Sequence, residues 1–233
     1  MSAMPKLYDL AGAEADRRFS PYCWRVKMAL AHKGLTVETI PWRFTEKDVI
    51  AFSKQGRVPV LVDGERWVND SWAIADYLET AYSERPSLFG GPAGKAFARF
   101  HANWADAFMQ PGMTKLIVLD IWQHVDPKDR DYFRKSREER FGKTLEDVVA
   151  DRDSGVLAFR DSLLPLRLTL KAQKFLGGEA PLYADYAVFG GFQWCRCISD
   201  FNLLAPDDPI YAWRQRMLGL FDGLAGNAKG YPV

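Results

Sequence analysis

Cysteine and histidine are scarce in this chain of 233 residues, with three of each. Cys23, Cys195 and Cys197 are too few and too unevenly spaced for a disulfide framework. His32, His101 and His124 stand far from one another, with no ligand spacing beside Cys, Asp or Glu, so no metal site is expected. An excess of one charge is missing too. Thirty-one basic residues face 30 acidic ones, a formal net charge of +1, which argues against the broad basic surface that nucleic acid or anionic membrane demands. No apolar run approaches the roughly 20 residues of a membrane span, and residues 1–6 lack a basic start followed by an apolar stretch and a small-residue cleavage site. The expectation is a cytoplasmic protein in reducing surroundings whose partners are small molecules or protein, with neither nucleic acid nor membrane among them.

Aromatic residues, by contrast, are abundant. Eight Trp, nine Tyr and fifteen Phe exceed ordinary needs enough that some are expected to line an apolar pocket, although most belong to the core. The first third of the chain alternates β-type and amphipathic helical runs, which favours a mixed α/β domain. Residues 6–10 read as a strand. In 21–32 the residues Tyr22, Val26, Ala29 and Leu30 share one helical face, and Gly34 follows as a left-handed cap. Residues 37–41 read as a second strand, 58–63 and 65–69 as an antiparallel pair around Asp63-Gly64, and 71–82 as a helix with Ser71 at its N-cap. The order is βαβ, then ββα. Residues 83–94 concentrate Pro, Gly and Ser and read as a connector. Beyond it every periodic segment is helical: 95–122 with a kink at Pro111-Gly112, a charge-rich stretch at 126–150, then 156–176 and 185–200. The mixed-sign run at 129–140 reads as a solvated helix face rather than a binding site.

Chemistry concentrates at Phe19-Ser20-Pro21-Tyr22-Cys23-Trp24, where a loop enters a helix. The unpaired N–H groups and the dipole of a helix start favour an anion beside them. A serine hydroxyl cannot attack a disulfide, but it can donate a hydrogen bond to a bound thiol and favour the thiolate. The plainer reading of Ser20 is helix capping, with Pro21 in its favoured first position. Farther on, Arg57-Val58-Pro59-Val60-Leu61 places a proline at the start of a β-type run, where an edge-strand proline is the plain alternative. Asn69-Asp70-Ser71 opens a helix whose fourth residue is Ile74 rather than Glu, so no reciprocal capping box consumes the first N–H groups.

Taken in order, Ser20-Pro21-Tyr22-Cys23 resembles a glutaredoxin tetrapeptide with its first cysteine replaced by serine, and Val58-Pro59 and the 70–78 segment DSWAIADYL follow at the spacing of the glutathione transferase family. The 176–178 triplet LGG and Tyr183-Ala184-Asp185-Tyr186 extend the resemblance across the chain, with Leu182 where that family has Ser, Thr or Asn as a helix cap. The resemblance implies a thioredoxin-like α/β N-terminal domain (1–83), a linker (84–94) and an all-α C-terminal domain (95–233). It implies glutathione as co-substrate: Ser20 at the thiolate, a cis Val58-Pro59 bond whose Val58 backbone holds the cysteinyl unit, and Asp70 and Ser71 at the γ-glutamyl end. For the glycyl carboxylate, Arg57 ranks ahead of Lys47 and Lys54. Tyr22, Trp104, Phe108, Met109 and Met113 are the expected wall for a hydrophobic, electrophilic co-substrate. Ser20 to Arg25 and the Asp-Ser-Trp start of the later helix are most similar to bacterial glutathione-dependent β-aryl etherases and fungal-type transferases. A homodimer is implied as well. Two other classes stay open: a thiol-disulfide oxidoreductase relying on Cys23, and a non-catalytic protein that binds glutathione or an apolar ligand.

Overall fold

A computed structural model of the chain describes residues 4–232; of the leader reading above, residues 1–3 lie outside that range. A four-stranded sheet in the order β2-β1-β3-β4 forms the first domain. Strand β1 (Lys6–Leu10) lies parallel to β2 (Glu38–Trp42) and antiparallel to β3 (Val60–Asp63), which pairs in turn with β4 (Arg66–Asn69). Parallel β1 and β2 require a crossover, supplied by helix α1 (Pro21–His32). Asp63 pairs with Arg66 across the hairpin, and Gly64 takes the first turn position at φ +61°, a conformation side chains resist. Helix α2 (Ser71–Ala81) completes the domain beside α1.

The N-cap of α2 is Asp70, not Ser71: Asp70 sits at φ 71° and one carboxylate oxygen accepts the N–H groups of Trp72 and Ala73 at 2.9 and 3.0 Å. Two of the donors that the sequence leaves open are thus taken by the acid beside them.

The remainder is helical: α3 (Pro92–Trp104), α4 (Gln110–His124), α5 (Arg130–Phe141), α6 (Leu145–Val149), α7 (Arg152–Ser162), α8 (Leu164–Ala172), α9 (Tyr183–Ile198) and α10 (Pro209–Gly223). The last of these was not anticipated. Helix α3 starts at Pro92, inside the expected connector. The distortion expected at Pro111-Gly112 falls one turn earlier, at 105–109, where the Gln110 N–H reaches the Ala105 carbonyl in a wide i to i−5 turn. A proline clashes with the turn before it, and a widened turn relieves that clash without ending the helix.

Helix α9 is the spine of the second domain, buried from Tyr183 to Ile198 except at Arg196. It packs along α1, so the two domains share one core. At the crossing a β-carbon on Gly190 would meet the Pro21 carbonyl oxygen at 2.4 Å, and one on Gly191 would meet the Met109 side chain at 2.7 Å. Leu182 supplies no side-chain cap. In its place the Tyr183 N–H donates to the Leu88 carbonyl of the connector at 2.8 Å, and the Leu182 N–H donates to Asp185 at 3.0 Å. Fully buried Asp185 also accepts from the N–H groups of Leu176 (2.7 Å) and Gly177 (2.9 Å) and from Trp213 Nε1 (2.9 Å). Among the described residues no helix is long and apolar enough to cross a membrane.

Removing the Asp185 carboxylate would strand four donors in the core. Asp185→Ala is expected to lower unfolding free energy by about 3 kcal/mol or more, measured by urea denaturation; a loss below about 1 kcal/mol would contradict this role. Half-buried His32, hydrogen-bonded at 2.6 Å to Tyr186 of α9, gives the domain contact a pH dependence. Burial lowers its pKa below 6.5, so folding holds it neutral. Its contribution is complete above about pH 6.5 and is lost as pH falls from there through the folded pKa. His32→Gln is expected to flatten the stability profile between roughly pH 6.5 and 5; an unchanged slope would exclude His32 as its source.

Candidate active site

Between the domains lies a cavity of about 720 Å³, within the range of small-molecule sites. The start of α1 opens onto it. Ser20, in extended backbone and 3 % exposed, caps the helix by accepting the Cys23 N–H at 3.2 Å, and its carbonyl accepts the Trp24 N–H. Pro21 has no N–H, so Tyr22 carries the open donor of the first turn. Because Ser20 uses its oxygen as acceptor in that cap, its hydroxyl proton remains to be donated. Capping and thiolate stabilisation are therefore compatible in one side chain. Burial, followed by the nearby Asp9 carboxylate, holds the fully buried Cys23 thiol well above its ordinary pKa, the reverse of what a reactive cysteine needs.

Val58 and Arg57 line the cavity. The Val58-Pro59 peptide bond is cis, and among the described residues the Val58 backbone N–H and carbonyl have no partner. The loop before it is braced by Gln55, which accepts the Arg57 N–H and donates to the Arg57 carbonyl, both at 2.7 Å. Lys47 lines the cavity as well; Lys54, left-handed at φ 58° after a short helix, does not. Ser71 is buried, and its carbonyl accepts the Tyr183 hydroxyl at 2.8 Å, which fixes the start of α2 against α9.

The expected hydrophobic wall is only partly in place. Tyr22 lines the cavity, whereas Trp104, Phe108, Met109 and Met113 do not. Met109 and Met113 are fully buried against Gly191 of α9, and Trp104 and Phe108 stack outside at a centroid distance of 6.3 Å, with Phe108 53 % exposed. Asp106 of the wide turn and Gln110, Thr114 and Val118 of α4 line the space instead. Asp106 is bound by the buried Arg25 of α1 at 2.6 and 3.3 Å and accepts from Gln110 at 3.0 Å, a polar clasp across the domains.

Helix α5 overturns the reading of 129–140 as a plain solvated face. Tyr132, Phe133, Arg137 and Arg140 all line the cavity. Buried Asp129 accepts the backbone N–H groups of Phe44 (2.8 Å) and Thr45 (3.2 Å), which ties this helix to the first domain. Phe44 then links the two sides, its ring centroid 6.4 Å from Phe19 and 5.6 Å from Phe133. The cavity thus joins an aromatic wall to a set of cations. Among the described residues no group of three or more His, Cys, Asp or Glu is arranged to hold a metal ion.

Comparisons with known proteins agree with this geometry. The family models for the glutathione S-transferase N-terminal and C-terminal domains match residues 19–81 and 96–203. Glutathione S-transferase U28 of Arabidopsis thaliana is 26% identical over 205 residues, 84% of this chain and 80% of that protein. Glutathione transferase GSTFuA3 of Phanerochaete chrysosporium has a TM-score of 0.77 at 23% identity, covering 96% of this chain and 93% of its own. A glutathione S-transferase of Ceriporiopsis subvermispora, solved in complex with glutathione, has a TM-score of 0.78 at 22% identity, covering 94% and 97%.

Proposed function

The chain belongs to the glutathione S-transferase family, and from that premise we propose that it uses the glutathione thiolate to attack an electrophilic carbon of an aromatic co-substrate held between its two domains. The observation that carries this reading is Ser20: it stands at the N-terminus of α1 in the wall of the cavity, with its hydroxyl proton left over by the cap. A thiolate there receives the hydroxyl, the Tyr22 N–H and the helix dipole, each favouring the ionised form that is scarce near neutral pH.

Glutathione lies along Val58, whose unpartnered backbone matches the cysteinyl amide. Its glycyl carboxylate is met by Arg57 or Lys47, and its γ-glutamyl end by Asp70 and Ser71. Attack forms the S–C bond and releases halide or aryloxide, or adds to the acceptor without a leaving group. Phe44 and Tyr132, among the more accessible rings of the cavity, support an aryl co-substrate, and β-aryl ether cleavage is the case in which aryloxide departs. A purely binding role is the outcome if no electrophile is turned over.

The protein is further proposed to act in the cytoplasm as a homodimer; the exposed rings of Phe97, Phe100 and Phe108 support an apolar contact between subunits. Light scattering at micromolar concentration is expected to return twice the chain mass, and a single-chain mass would remove the dimer.

Turnover of an aryl halide, an isothiocyanate and a β-aryl ether ketone with glutathione tests the central reading. Ser20→Ala is expected to lower kcat/KM by about ten-fold or more, roughly 1.4 kcal/mol of transition-state stabilisation. Wild-type binding of glutathione with no conversion across the panel would reduce the protein to a binding module.

A further inference from the structure

Five cations line the cavity: Lys47, Arg57, Lys115, Arg137 and Arg140. Among the described residues none of the five forms an ion pair, and the cavity's one acid, Asp106, is already bound to Arg25. Arg134, on the same helix α5, pairs with Glu138 and Glu146, both at 2.9 Å. Four of the five are exposed at the rim, where an unpaired charge is unremarkable.

Arg137 is different. It is half-buried, its guanidinium lies 4.4 Å from the ring centroid of Phe133 and 5.2 Å from that of Phe44, and it donates a hydrogen bond to the Ser136 hydroxyl at 2.8 Å. Desolvation, followed by the like charge of Arg140, lowers its pKa from the usual arginine range. Sequestered charges are ordinarily paired, and this one sits beside another of its own sign.

Glutathione does not supply the missing anion at that end. On the reading above, its glycyl carboxylate lies by Val58, where Arg57 and Lys47 stand, and its other end lies at α2. Lys115, Arg137 and Arg140 belong to the facing wall, built from α4 and α5. The aromatic series from Phe19, next to Ser20, through Phe44 to Phe133 and Arg137 connects the thiolate position to the guanidinium.

We infer that the co-substrate is an aromatic electrophile bearing an anionic substituent such as a carboxylate, its ring against the half-buried Phe44 and its anion on Arg137, with Arg140 and Lys115 adding to the field. The inference rests on the transferase reading and specifies its substrate class. Arg137 would act as a specificity-determining residue that touches substrate, presenting a planar fork that suits a carboxylate.

The test compares 4-chloro-3,5-dinitrobenzoate with its methyl ester, which share ring and leaving group and differ in one charge. In either reaction the thiolate forms the S–C bond and chloride leaves with the C–Cl pair, with no net redox change. Wild type is expected to prefer the carboxylate after correction for the two compounds' uncatalysed rates with glutathione. Arg137→Gln should lower kcat/KM for the carboxylate by about ten-fold or more, as loss of a charge-assisted hydrogen bond implies. The ester should change less than two-fold, the KM for glutathione should hold, and Arg137→Lys should restore part of the loss.

Equal losses for both compounds, or no preference in wild type, would overturn the inference while leaving the transferase reading intact. If neither compound is turned over, calorimetric binding of 3,5-dinitrobenzoate decides. Binding that Arg137→Gln weakens ten-fold keeps the anion site and removes the reaction; no binding removes the anion site.

Discussion

The contact between α1 and α9 is the constraint on which the rest of the molecule depends. A helix start can bind an anion only if its orphan N–H groups face a defended space rather than bulk water. Here the defence comes from the second domain: Gly190 lets α9 come up against the Pro21 carbonyl, and Arg25 reaches across to the Ala187 carbonyl at 3.0 Å and to Asp106. Any larger residue at Gly190 would push the helices apart at the turn that carries Ser20. The same crossing buries Met109 and Met113 against Gly191, which turns Asp106 and Gln110 toward the cavity. One packing decision therefore positions the start of α1 and chooses the residues of the opposite wall.

Asp185 secures that arrangement from behind. Four donors converge on its carboxylate, from the loop before α9, from the backbone at its start and from Trp213 of α10. A buried carboxylate with that many donors locks the backbone around it more firmly than a capping serine would. This explains how Leu182 is tolerated at the cap: a capping hydroxyl is not needed once the Leu88 carbonyl receives the Tyr183 N–H. The connector between the domains thus serves as a cap as well as a link.

Much of the first domain was legible because its signals are local. Lys6–Leu10 and Pro21–His32 begin and end where alternation, proline and glycine place them, and the hairpin follows from Asp63-Gly64. The second domain was legible as helices but not as faces. Periodicity marks an apolar stripe without saying what covers it, and Met109 and Met113, expected at the cavity from the resemblance, are instead covered by α9. In 129–140 the signal was present and misread: Tyr132 and Phe133 interrupt the charges, which a fully solvated face has little reason to do. Asp70 was read as a ligand group when its first task is structural, because a left-handed N-cap acid beside Ser71 consumes donors that a capping-box argument counts as open.

A near-neutral chain conceals an uneven interior. Its net charge is +1, yet among the described residues five cations without an ion pair line one cavity whose only acid, Asp106, is bound to Arg25. Of the five, Arg137 alone is half-buried, so its charge is screened least by solvent, while the four exposed cations lose most of their reach within a Debye length. On the proposed reading Ser20 and the start of α1 serve the sulfur, and the cationic wall serves the co-substrate. The two ends of the cavity thus differ in what they offer a ligand, a hydroxyl with a spare proton at a helix start on one side and a half-buried guanidinium over an aromatic ring on the other.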